Sequence, residues 1–154
     1  MRIQDHVSDR KHAGSDTGWL TGAVPPRHAP VYVRSRPMGR GWMWRSMAVS
    51  SEECEYRLFV QCHPSKDDWK AWLIEVNDAS SVVCRLEHHG SHPGRHVHAD
   101  CSKERPDGPL SIGSGIRIPA AKSHHRENIG HDPEAFWRYS KKFFRIVDRQ
   151  GVLF

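Results

Sequence analysis

Between Trp42 and Cys101 the chain alternates apolar and polar residues in five short runs, and only a few residues link each run to the next. Links that short cannot carry a crossover to a parallel neighbour, so successive runs must pair antiparallel. The runs are Trp42 to Ser50, Glu55 to His63, Trp69 to Val76, Ser81 to His89 and Arg95 to Cys101. In the second, Tyr56, Leu58, Val60 and Cys62 share one side, with Arg57, Gln61 and His63 on the other. In the third, Trp72, Ile74 and Val76 share a face. Turn residues separate them: Pro64 to Asp68, Asn77 to Ser80, and Gly90 to Gly94. Half-buried strands and tight turns predict an antiparallel meander of about five strands.

The flanks read differently. Residues 102–131 are rich in Gly, Pro and Ser and lose all periodicity, the mark of a loop that is functional or disordered. Asp132 then offers a cap and Pro133 a first helical position, and Phe136, Tyr139, Phe143, Phe144 and Val147 fall on one stripe. A helix of this kind packs on one face of the sheet, which makes the fold α+β. Its other face carries Arg138, Lys141, Lys142 and Arg145 and reads as solvated surface. Residues 1–41 show no sustained period and read as a flexible basic leader, leaving 42–154 as a single α+β domain. A length of 154 residues suits one core.

Composition excludes several classes. The net charge of +5 is concentrated near the start, where residues 1–44 hold seven Lys/Arg against three Asp/Glu. The arm from Arg34 to Arg40 could therefore add salt-dependent affinity for nucleic acid, while the rest of the chain is nearly neutral. No apolar run is long enough for a membrane helix, and the first residues lack the apolar centre of a signal peptide. Cys54, Cys62, Cys84 and Cys101 form no CxxC pair, which fits reduced thiols in a cytoplasm. Trp42, Trp44, Trp72 and Trp137 lie in periodic segments and read as core. Nucleophile elbows, phosphate-binding glycine loops and zinc-finger spacings are missing from the sequence.

Chemistry concentrates in one hairpin. Five of the twelve histidines fall between Arg85 and His98. If Val82, Cys84 and Leu86 face the core, Val97, Ala99 and Cys101 must face it from the next strand. Pairing Leu86 with Val97 places Glu87 opposite His96 and Arg85 opposite His98, and a slip by two residues keeps the same faces. Arg85, Glu87, His89, His96, His98 and Asp100 then share the face opposite the core. Cleavage of RNA by its own 2′-hydroxyl needs a base, an acid and a cation for the phosphate, and no metal. Glu87 would be the base, His96 or His98 the acid and Arg85 or Arg95 the phosphate clamp, with His89, His92 and Arg95 placed to hold substrate. Ribonucleases of the barnase type carry a comparable Glu, Arg and His group on an antiparallel sheet, an analogy of constellation and not of sequence. The same residues also read as a lattice of cross-strand pairs on a polar sheet face.

The run R-L-E, a His/Gly/Pro turn and H-V-H, carried by Arg85, Glu87, Gly90, His92, His96 and His98, resembles small bacterial proteins associated with toxin–antitoxin and defence genes. The resemblance extends loosely from about Trp44 to Val147. It implies a toxin-like protein acting on RNA or other nucleic acid, with an antitoxin covering the hairpin and the 102–131 loop. Two histidines one residue apart on a strand also begin many metal sites. Gly90 through His98 resembles the first cupin motif, and Gly113, Pro119, His124 and Asn128 the second, although too little chain separates them for the usual jelly roll. In that reading His96, His98, Glu104 and His124 would hold a divalent transition metal. A non-catalytic binding module using the basic leader is the third class.

Overall fold

The computed structural model describes residues 3–28, 38–66, 68–76, 81–88, 95–98 and 132–149, the strand at 95–98 by its backbone. In chain order the elements are α1 (Ile3–Ser8), β1 (Lys11–Asp16), β2 (Met43–Ser50), β3 (Glu55–His63), β4 (Asp68–Glu75), β5 (Ser81–His88), β6 (Arg95–His98), α2 (Pro133–Phe143) and β7 (Ile146–Val147). One turn of 3-10 helix, Pro64–Lys66, joins β3 to β4.

Strands β2 to β6 lie side by side in chain order and are all antiparallel, as their short links require. The sheet nevertheless continues past them. β1 pairs antiparallel with β2, and β7 pairs parallel with β1, giving seven strands in the order β6-β5-β4-β3-β2-β1-β7. A simple meander of five strands is therefore corrected to a mixed sheet. The expected flexible leader over 1–41 is corrected over its first part, because α1 and β1 both lie within it. Lys11–Asp16 reads KHAGSD and shows no alternation of apolar residues, so its extended form rests on backbone pairing to both neighbours. Gly14 belongs to that fit, since a Cβ there would lie 2.9 Å from the Ala48 carbonyl oxygen.

Both faces of the sheet are apolar. On one, Met47, Tyr56, Leu58, Leu73 and Leu86 pack with Phe136, Tyr139 and Phe143 of α2, and the rings of Trp69 and Phe136 stand 5.1 Å apart. The other face holds a smaller cluster of Trp44, Phe59, Trp72, Ile74 and Val82, against which Val24 and Met38 pack. Val82 thus lies away from Cys84 and Leu86, contrary to the alternation. The register slips between Leu73 and Ile74, pairing Leu73 with Cys84 but Ile74 with Val82. The extra residue turns Val82 to the second face and brings Val83 into the α2 side.

α2 starts as its sequence indicates: Asp132 accepts a hydrogen bond from the Glu134 amide at 3.0 Å, and Pro133 follows. It stops earlier than the apolar stripe suggests. Arg145 takes the left-handed region, φ 55°, and reverses the chain so that Val147 joins β7 instead of the helix.

Two basic side chains tie the ends together. Lys11 is fully buried, and its Nζ donates to the carbonyls of Val7, Asp9 and Phe144 at 3.4, 2.7 and 3.0 Å. Burial pulls its ammonium down to about 8, against the opposing charge of Asp9. Arg45 grips Asp16 through Nε and Nη2 at 2.9 and 2.6 Å and reaches Glu134 at 2.9 Å, with its guanidinium 4.2 Å from the Trp137 ring centroid. Although partial burial opposes ionisation of Asp16, the Arg45 hydrogen bonds and the Gly18 amide hold its carboxyl below the usual range. Among the described residues no helix is long and apolar enough to cross a membrane.

Candidate functional site

Of the hairpin registers that alternation allows, the structure takes the one that pairs Leu86 with Val97. Leu86 pairs with Val97, Glu87 with His96, Arg85 with His98 and His88 with Arg95. Tyr56, Leu73 and Leu86 mark the α2 side, so Arg85 and Glu87 belong to the opposite face, with Trp72 and Lys70 as their partners on β4. Arg85 Nε lies 2.8 Å from Glu87 Oε2, and the carboxylate side chain is only 6% exposed against 24% for the arginine. A polar, solvent-facing lattice is therefore not what this face presents at Glu87. The carboxylate is shielded beside its cation, where reduced water contact strengthens their attraction.

The site extends beyond the hairpin onto β4, β3 and the residues before β2. Lys70 stands between Glu87 on β5 and Gln61 on β3 in the register. Its Nζ is 3.7 Å from Asp68 and 5.8 Å from the centroid of the Trp42 ring. Trp42 is half-buried, not core as its segment suggested, and meets the His63 ring edge-on at 5.4 Å. His63 pairs with Asp68 across the turn. Gly41, at φ 86°, allows the chain to pass this close, since a Cβ there would fall 2.5 Å from His63 Nε2. The arrangement offers cations at Arg85 and Lys70, a shielded carboxylate at Glu87, and an indole face beside an imidazole.

Sequence reasoning singled out Arg85 and Glu87 but missed Lys70, His63, Asp68 and Trp42. Pairing arithmetic carried across one more turn does not find Lys70, because the register slips between Leu73 and Ile74: the sum set by Ile74 and Val82 would put Lys70 opposite Leu86 and not Glu87. Of the other expected residues, His96, His98 and Arg95 lie on β6, where the backbone register locates them. His89, His92, Asp100, Glu104 and His124 lie outside the described residues. The alternative metal set of His96, His98, Glu104 and His124 thus falls half outside them, and among the described residues no three His, Cys, Asp or Glu side chains cluster as metal ligands do.

Farther along this face, His28 Nδ1 lies 3.0 Å from both Arg57 Nη1 and Ser46 Oγ. Partial burial and the charges of Arg57 and Arg27 hold the His28 imidazole below its usual range. The ring lies 5.5 Å from that of Trp44. Its role is to join the 20–28 segment to β2 and β3.

A scan against protein-family models, a search of curated proteins and a search of solved structures each found no match to this chain. The functional reading therefore stands on the residues themselves.

Proposed function

We propose that the β4–β5–β6 face cleaves RNA without a metal, in a toxin-like or defence-associated protein. The observation that carries this reading is the cross-strand register, Glu87 to His96 and Arg85 to His98, with Arg85 held 2.8 Å from a nearly buried Glu87. Glu87 takes the proton of the attacking 2′-hydroxyl, and His96 or His98 returns one to the leaving 5′-oxygen. A phosphate arriving at the face competes with Glu87 for Arg85. Drawing the guanidinium onto the phosphate uncovers the carboxylate at the moment it must act as a base, and Lys70 supplies a second cation for charge developing on phosphorus. Trp42 offers a surface on which a base can stack. The partner in this reading is an antitoxin that covers the hairpin.

Purified protein is expected to cleave single-stranded RNA in the presence of chelator, with a bell-shaped pH profile and 2′,3′-cyclic phosphate ends. Removing the base or the acid is expected to lower the rate by about 100-fold to 10,000-fold. Full activity in a folded Glu87→Ala, His96→Ala, His98→Ala variant would end the proposal. Stoichiometric zinc, nickel or iron that disappears in His96→Ala would replace it with the metal reading.

A further inference from the structure

The outer face of α2 carries a second positively charged feature, at the opposite edge of the sheet from the hairpin. A groove of about 660 Å³ opens between α2, the residue before β1, and β7. Among the described residues five cationic side chains line it, Arg10, Arg138, Lys141, Lys142 and Arg145, with one carboxylate, Asp148. Arg138, Lys141 and Lys142 follow the helical spacing i, i+3 and i+4 and make a row roughly 6 Å long, and Arg145 adds a further cation two residues past the helix end. Sequence alone made this row look like a solvated helix face. The structure adds a concave wall and an apolar floor from Ile146 and Val147.

Two details show that the row is held in place. Arg145 occupies the left-handed region at φ 55°, where a side-chain-bearing residue is strained, and its Nη1 donates to the Ser8 carbonyl at 2.7 Å. Lys141 is anchored to Asp148. A glycine at position 145 would relieve the backbone but would leave the groove one cation short.

We infer that this groove binds the backbone of single-stranded nucleic acid. A row longer than one phosphate is wide calls for a ligand with successive phosphates, and the apolar floor suits the sugars and bases that inorganic polyphosphate lacks. The inference is independent of catalysis, because the groove shares no lining residue with the hairpin and β7 and β6 are the two edge strands of the sheet.

The test uses the full chain and a labelled dT12 strand, whose missing 2′-hydroxyls prevent the hairpin reaction, so binding is read without cleavage. Fluorescence anisotropy over a series of salt concentrations compares the parent with Arg138→Gln/Lys142→Gln. The comparison double variant Arg27→Gln/Lys66→Gln removes two exposed charges elsewhere. The groove variant is expected to bind at least tenfold more weakly and to lose about 1.4 from its log–log salt slope, two contacts at about 0.7 each. The comparison variant is expected to stay within twofold of the parent. An equal loss in both variants, no binding by the parent, or equal competition by inorganic polyphosphate of matched charge would each overturn the inference. Thermal melts of all three proteins confirm that each is folded.

Discussion

Lys11 shows how one side chain can close a fold. Its ammonium serves three carbonyls from two ends of the chain, so Lys11→Met would leave buried acceptors without a donor and is expected to cost about 3 kcal/mol in urea unfolding. The pH dependence has a definite sign. With a folded value of about 8 against 10.5, the unfolded chain binds a proton that the fold lacks between those limits. The stability difference between parent and Lys11→Met should therefore rise with pH from 8 to 10.5. Cys62 acts the other way. Burial pushes its thiol up to about 12 from 9, so the unfolded thiol ionises while the folded one keeps its proton, and stability should fall as pH climbs from 9 to 12. Tyr56, raised by burial and by Cys54, adds to that fall above pH 10. Denaturation curves stepped through this range should show a shallower decline in Cys62→Ala. An unchanged slope would remove Cys62 from the account.

Among the elements, α2 depends on its ends. Asp132→Ala removes the acceptor for the Glu134 amide and is expected to lower stability by about 1 kcal/mol, read by thermal or urea melts. Its start was legible because Asp-Pro states both a cap and a first turn. Its end was not, because the residue that reverses the chain is Arg145 and not the glycine that usually signals such a stop. The same contrast runs through the sheet. β3 was legible to the residue, and the faces of the β5–β6 hairpin were legible too, while its register was narrowed only to within a slip of two residues, because apolar alternation fixes faces and not the pairing along them. β1 carries neither signal, and its partner β7 lies more than a hundred residues away. The bulge after Leu73 was hidden because both faces of β5 are apolar there, so Val82 fits either side. For the candidate site, the shared face of the hairpin was legible, while Lys70, His63 and Trp42 emerge only when three more strands are placed beside it.

At the scale of the molecule, the early residues belong to the core. Val7 packs within the α2-side cluster, the Lys11 amide donates to the Arg145 carbonyl at 3.0 Å, and Leu20 bridges to Trp44. Deleting residues 1–16 is expected to abolish cooperative unfolding rather than trim a tail, and circular dichroism during thermal melting would show it. A truncated protein with an unchanged melting transition would refute this. Loss of nucleic-acid binding in such a truncation would accordingly report a broken sheet and not a missing basic arm. The parallel pairing of β1 with β7 also orders events during synthesis. A ribosome makes Lys11 more than a hundred residues before Ile146, so the outer side of β1 has its native neighbour only after all the intervening residues exist. Until then a nascent chain displays an unpaired strand edge, and any product cut short before residue 146 keeps it. Such fragments are the species from which aggregation of this protein should begin.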